Sequence, residues 1–270
     1  MTEQEYNLAE GIRRSDLWLI NDSPEKFKYS LDNPQGPTPA LLFGSACHKM
    51  ILEPETFSDE YAIAPVCDRR TKDGKAVWEA FAEQNNGKTI VTAADGEVMV
   101  DMEAALNRCS LAHSLIHLDG ETEVPFFWTD AETGEKCKVK LDRLINCLDG
   151  RIAIVDYKTA KSAETNRFNS EIWKLGYHVQ AAMYSEAVMI CKNLDYRPLF
   201  LFVVQEKTAP YSVNVIEVSE DVMNAGSAKF HELLNTYHEC KTVDMWPGYV
   251  DDVPNETYLP GWVNLDGDSE

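Results

Sequence analysis

Basic residues are scarce in this sequence. Twenty-five Lys and Arg stand against 45 Asp and Glu, a formal net charge of −20. That balance excludes a generally basic nucleic-acid coat protein and a peripheral protein held on anionic lipid by charge. It leaves room for a local basic groove on an acidic body. Long apolar runs are missing as well. No stretch of about 18 apolar residues occurs, so no transmembrane helix is expected. The start, Met1-Thr-Glu-Gln-Glu, is acidic and polar without a secretory leader pattern, and a cytoplasmic location is expected. Paired cysteines are absent. Cys47, Cys67, Cys109, Cys137, Cys147, Cys191 and Cys240 are odd in number, widely spaced and never in a C-x-x-C pair. That argues against a structural zinc site, an iron–sulfur cluster and a disulfide scaffold. Internal repeats and low-complexity segments are also missing.

What is present is a globular composition. The 270 residues are 44 % hydrophobic and 10 % aromatic, enough to bury a core. One domain over 1–270 is expected, mainly helical in 1–120, a sheet and helix in 121–218, and a C-terminal helix and tail in 219–270. Ser15-Asp16 suits a helix cap, and Pro24 suits a first turn. Residues 33–39 read as a loop. A buried helix is expected over 38–52 on Leu41, Leu42, Cys47, Ile51 and Leu52, stopped by Glu53-Pro54. A locally basic loop follows at 66–75, then helices at 75–84 and from Thr92 to about His113. Strands are expected at 122–129, 137–145 and 151–157, joined by short turns into an antiparallel meander. A long helix over 172–190, strands at 199–205 and 211–218, and a helix over 221–240 complete the pattern. The tail holds the turn-like clusters Trp246-Pro-Gly-Tyr249 and Leu259-Pro-Gly-Trp262. The fold class is α/β (α+β), a mixed central sheet with an antiparallel meander flanked by helices.

Asp142 lies within the second strand, and Asp156 and Lys158 lie at the end of the third. Adjacent strands can set Asp142 and Asp156 side by side at a sheet edge, and Asp156 and Lys158 share a face. Two carboxylates converging on one point suit Mg²⁺ or Mn²⁺, with a lysine beside them for a water or a phosphate. The same spacing suits a strand-end salt bridge. His48, in Gly44-Ser-Ala-Cys-His48, is equally readable as a packed core residue. Gln180 and Tyr184, at i and i+4 on one helix face, are equally readable as packing residues.

As an ordered set these residues say more than each does alone. The set runs GxxxH, Glu123, Asp142, Asp156-x-Lys158 and Gln-x-x-x-Tyr. It resembles the PD-(D/E)xK nuclease superfamily, in the branch with a histidine ahead of the core sheet, and especially the RecE-type exonuclease domains. The resemblance is carried by Leu42-Phe-Gly-Ser-Ala-Cys-His48, Leu52-Glu-Pro-Glu-Thr-Phe57, Ala62-Ile-Ala-Pro65 and Asp68-Arg-Arg-Thr71. It continues through Trp128-Thr-Asp-Ala-Glu-Thr-Gly134, Ile154-Val-Asp-Tyr-Lys-Thr159 and Gly176-Tyr-His-Val-Gln-Ala-Ala-Met-Tyr184. It spans about residues 5–262. One departure is Leu141 in place of the proline before the first aspartate.

The resemblance implies a restriction-endonuclease-like core and a metal-dependent 5′-to-3′ exonuclease on linear double-stranded DNA that leaves 3′ single strands for recombination. It implies Mg²⁺, with Mn²⁺ as a substitute, bound by His48, Asp142, Asp156 and the backbone carbonyl of Tyr157. Lys158 would position the attacking water. Glu123 would hold a second metal or a water, and Gln180 and Tyr184 would orient the site. Arg69, Arg70, Lys72 and Lys75 form the candidate DNA-contact loop, equally readable as a solvated loop. Arg13, Arg14 and Ser15 are placed for a 5′ phosphate by position in the family. A trimeric or tetrameric ring around the duplex and a single-strand annealing partner of the RecT type are further implications. A metal-dependent endonuclease and an inactive recombination subunit remain alternatives on the same core. Residues 131–170 carry eight Lys and Arg against six Asp and Glu. An acidic exterior with attraction confined to a channel at this meander is therefore expected.

Overall fold

The computed structural model describes residues 1, 3–147, 149–249, 254 and 256–258. Three short helices open the chain: α1 (Glu3–Leu8), α2 (Arg14–Asp22) and α3 (Pro24–Asp32). They are followed by α4 (Pro39–Leu52), α5 (Phe57–Glu60), β1 (Tyr61–Ile63), α6 (Lys72–Gln84), β2 (Thr89–Val91), α7 (Ala93–Arg108) and α8 (Ser110–His117). The meander is β3 (Gly120–Thr129), β4 (Lys136–Asn146) and β5 (Ile152–Ala160). Then come α9 (Thr165–Lys174), α10 (Tyr177–Lys192), β6 (Leu199–Glu206), β7 (Val213–Glu217) and α11 (Glu220–Val243).

The main sheet has five strands in the order β3-β4-β5-β6-β7. It is antiparallel except for the β5–β6 pair, which is parallel, so the sheet is mixed as expected. Each face carries its own core. One buries Leu17, Phe27, Leu141, Ile154, Phe168, Phe202 and Phe230 between the sheet and α2, α3, α9, α10 and α11. The other buries Cys47, Ile51, Met99, Ile116, Val155, Tyr157 and Val203 under α4, α7 and α8. Ile154 and Val155 point into opposite cores, as strand alternation requires.

Helix ends follow local chemistry. Ser23 caps α3 with Pro24 in its first turn, and Thr38 caps α4 through Leu41 N at 3.3 Å. Arg13, and not Ser15-Asp16, stands at the cap of α2. Asp16 sits in the third helical position, where its carboxylate accepts the Arg13 backbone N–H at 2.9 Å. Helix α6 begins at Lys72, three residues before the expected start, because Thr71 caps it. Leu41 is 61 % exposed, so the buried face of α4 is Ala46, Cys47, Ile51 and Leu52. The helix expected from Thr92 to His113 breaks at Cys109. The helix expected over 172–190 is two helices, because Gly176 adopts φ +70° between them. The parallel pair β1–β2, three residues per strand, is not among the expected strands, although Thr89, Ile90 and Val91 are all β-branched.

Helices α10 and α11 meet at Gly226, where an added Cβ would stand 2.1 Å from the His178 carbonyl oxygen. Backbone cannot yield as a side-chain tip can. Gly226→Ala is therefore expected to destabilise the fold by about 3 kcal/mol, read as a shift of the denaturant midpoint. An unchanged midpoint would contradict this packing. Trp246 packs internally, 5.4 Å from the Phe27 ring and 6.1 Å from Tyr237. The cluster at 259–262 lies outside the described residues. Among the described residues no helix is long and apolar enough to cross a membrane, and all seven cysteines are free.

Candidate active site

The site forms where β4 and β5 part, inside the sheet and not at its edge. The ladder between them ends at Arg143–Val155, and the next facing residues, Asp142 and Asp156, are not paired with each other, although Asp156 keeps its register with Phe202 on β6. Oδ2 of Asp142 instead accepts the Tyr157 backbone N–H at 2.8 Å. The phase of β4 slips here as well. Cys137, Val139 and Leu141 face the α10 side, yet so does Leu144, three residues on. Regular alternation would put Leu144 on the other face.

On β3, Glu123 lies between the pairs Thr122–Arg143 and Val124–Leu141 and is itself unpaired. Its φ is +53°, a region that costs a non-glycine residue roughly 1–2 kcal/mol. This turn of the backbone aims its carboxylate at two cationic groups. Oε1 is 3.6 Å from His48 Nδ1, and Oε2 is ion-paired with Lys140 Nζ. His48 arrives from α4 and donates from Nε2 to Asp142 Oδ2 at 2.7 Å. The ligand atoms of His48, Glu123 and Asp142 all lie within 4.8 Å of one another.

Asp156 is engaged from the opposite layer. Oδ1 accepts from Gln180 Nε2 at 2.6 Å, and Oδ2 is ion-paired with Lys158 Nζ at 2.5 Å. Lys158 Nζ also lies 5.0 Å from the centre of the Tyr177 ring. Gln180 Oε1 in turn accepts from Arg14 Nη2 at 3.3 Å. The gap between β4 and β5 thus joins an α4 half of the site to an α10 half.

Electrostatics divide the two aspartates. Burial pushes the Asp156 carboxyl up, and the Asp142 charge adds to it, to about 6 against the pull of Lys158. Burial works the same way on Asp142, but His48, Lys158 and the Tyr157 N–H outweigh it and hold that carboxyl below the usual range. Burial alone would deprotonate His48; Asp142 and Glu123 outweigh it and push the imidazole up to about 10. Burial also opposes the Lys158 charge, yet Asp156 and Asp142 prevail and raise it. Lys158 is therefore cationic through the neutral range, a donor and a charge and not a base.

A divalent cation fits this donor set. Carboxylate oxygens with one imidazole suit Mg²⁺ and, better, Mn²⁺. The carboxylates that now hold the His48 proton are the ones that would take the cation, and metal binding requires the imidazole to lose that proton.

Residues 15–254 match the family model of the PDDEXK-like domain of unknown function DUF3799. The chain belongs to this family. His48, Glu123, Asp142, Asp156, Lys158 and Gln180 lie inside the matched range, and Arg14 lies just outside it. No curated protein matches this PDDEXK-like domain. Among solved structures it is similar to a candidate exonuclease from Eubacterium rectale, with a TM-score of 0.61 and 16 % identity over 91 % of this chain and 87 % of that one. At that identity the likeness shows the fold alone. A further match, to SSO0001, has a TM-score of 0.33 and 15 % identity over 71 % of this chain and 85 % of that one, and carries no argument.

The domain brings His48, Glu123 and Asp142 together in one cluster, with Glu123 and not Asp156 as its third member, and gathers Asp156, Lys158 and Gln180 in a second group across the strand opening. Tyr157 contributes its N–H to Asp142. Tyr184 is half-buried with its ring on Phe200, and burial with the Asp156 charge raises its phenol. Arg13 is spent on Asp16, at 3.0 Å, and Ser15 is exposed in the first turn of α2. Arg69 lies 4.0 Å over the Trp78 ring, Arg70 binds Asp68 at 3.0 Å, and Lys72 and Lys75 are exposed on α6. Among the described residues no hydrogen bond or ion pair ties that loop to the site.

Most cations of the meander have partners within the protein. Lys136 pairs with Glu10, Lys138 donates to the carbonyls of Tyr6, Asn7 and Ala9, and Arg151 pairs with Asp149. Arg143 donates to Thr122 Oγ1 and to the carbonyl of Leu118 at the end of α8. With Lys140 and Lys158 in the site, six of the eight cations have partners in the protein. Sequence reasoning missed Lys140 and Tyr177. Lys140 had a signal, since it stands two residues before Asp142 on the same strand.

Proposed function

We propose that this protein is a divalent-metal-dependent 5′-to-3′ exodeoxyribonuclease acting on linear double-stranded DNA and leaving 3′ single strands for strand-annealing recombination. One observation carries the reading. His48, Glu123 and Asp142 converge at a strand opening that also holds the Asp156–Lys158 pair, in a PDDEXK-like domain. Mg²⁺ is the expected cofactor, with Mn²⁺ as a substitute. His48, Asp142, Asp156 and the Tyr157 carbonyl would hold it, with Glu123 beside them. When bound, the cation supplies positive charge at the scissile phosphate and acidifies water.

The chain's own residues do the rest. Lys158 sets an ammonium beside the phosphate, offsets its charge and donates a hydrogen bond to the attacking water. Gln180 holds one oxygen of Asp156, so that the other faces Lys158. Water adds to phosphorus and gives up one proton to solvent, the P–O bond to the leaving nucleotide breaks, and the leaving oxygen takes up a proton from solvent. The RecE-type resemblance outside the catalytic strands supports exonuclease over endonuclease. A homo-oligomeric ring, trimeric or tetrameric, would give processivity by topology, and an annealing protein of the RecT type would coat the strand released.

End-labelled linear duplex with Mg²⁺ tests the reading. A 5′ label is expected to be released first, as short products, while closed circular duplex survives. Equal cutting of the closed circle would make the protein an endonuclease instead.

A further inference from the structure

Arg14 and Trp18 stand four residues apart on α2, on one helix face. Both reach the junction between α9 and α10. The Trp18 indole covers Gly176 so closely that a Cβ there would lie 2.5 Å from it. The same ring meets His178 edge-on at 5.7 Å. Arg14 goes further. Nη1 donates to the Leu175 carbonyl at 3.0 Å, closing the end of α9, and Nη2 donates to Gln180 Oε1 at 3.3 Å. Its guanidinium also lies 5.7 Å from the centre of the Tyr177 ring, the ring that Lys158 approaches.

The Gln180 amide has an accepting end and a donating end. A guanidinium only donates, so Arg14 must face the oxygen. The nitrogen is then left for Asp156, where it donates at 2.6 Å. Flipped, the amide would set its oxygen against a carboxylate and its nitrogen against a cation, and both contacts would repel.

We propose that Arg14 is a positioning residue of the metal site: by holding the Gln180 amide in one orientation it fixes the Asp156 carboxylate, and with Trp18 it makes α2 a brace of the catalytic strand. This role differs from the 5′-phosphate contact expected from sequence. It rests on the metal-nuclease reading of the same site.

The two roles separate in the absence of DNA. Mn²⁺ is titrated by calorimetry into wild type, Arg14→Met, Gln180→Ala and the double variant. Methionine keeps apolar bulk beside Tyr177 while removing every donor. Each single variant is expected to lose about tenfold in Mn²⁺ affinity, the scale of a supporting hydrogen bond behind a ligand. The double variant is expected to be no weaker than Gln180→Ala, because both act along one path. In cleavage assays kcat falls, while KM for duplex stays within about twofold. Arg14→Met that binds Mn²⁺ like wild type, or losses that multiply in the double variant, would overturn the proposal. So would a change confined to KM, which would assign Arg14 to the DNA. Should Arg14→Met melt below the assay temperature, Arg14→Leu, which also removes every donor, is judged by the same outcomes. A wild type without Mn²⁺ affinity would overturn the metal-nuclease reading itself.

Discussion

Asp156→Asn is expected to abolish cleavage of linear duplex, by at least about a thousandfold, or roughly 4 kcal/mol of barrier. The substitution is nearly isosteric. An asparagine oxygen still accepts from Gln180, so what is lost is the charge that a divalent cation needs at the strand opening. Duplex binding is expected to persist, because the carboxylate itself repels phosphate. The fold is expected to persist too, and the sign follows from the ionisation. The Asp156 carboxyl sits at about 6 in the folded protein, above its ordinary 3.8. A carboxyl raised on folding costs stability, and the cost grows as pH rises from about 4 through about 6. At pH 7 the asparagine removes that cost, so the inactive variant is expected to melt no lower than wild type. Cleavage with a 5′ label, DNA binding by anisotropy and thermal melting are the measurements. Residual activity above about a tenth of a per cent of wild type, the counterpart of that thousandfold, would remove Asp156 from the metal site. Loss of folding would make its role structural.

Lys158→Met is expected to lower kcat by about a hundred- to a thousandfold, the scale for removing one fixed donor from a developing charge. The ammonium is held by Asp156 at 2.5 Å and lies against the Tyr177 ring. Its raised pKa keeps it charged, so its loss removes a cation and not a base. Metal affinity is the readout that separates these roles. Removing a cation from beside Asp156 and Asp142 leaves the two carboxylates freer to bind Mn²⁺, so affinity is expected to stay equal or rise while turnover falls. Weakened Mn²⁺ binding would instead mean that Lys158 organises the ligands. Lys158→Arg is not expected to rescue, since a planar fork does not fit a buried point-charge site.

Much of this architecture was legible in the chain. The strands of the meander show through turn residues and alternation, and α4 through Thr38, Pro39 and the stop at Glu53-Pro54. The i and i+2 spacing placed Asp156 and Lys158 on one face, as observed. The misses share a cause. Gly176 splits what reads as one apolar helix, because its αL conformation and the Trp18 ring against it act together over a long separation in sequence. Leu41 reads as core, yet it stays 61 % exposed.

The site divides along the same line. Composition, spacing and the order of motifs by themselves determined the fold class, the strands that carry Asp142 and Asp156, and the residue types offered to a metal. These are local properties, written in periods of about two and 3.6 residues. Tertiary structure alone decided that Glu123 turns through φ +53° to face His48, that β4 slips phase where it parts from β5, and that Arg14 reaches across to hold Gln180. Each of these joins groups far apart in the sequence. Their geometry follows from how helices on two opposite faces settle on one sheet, and no local pattern encodes that distance.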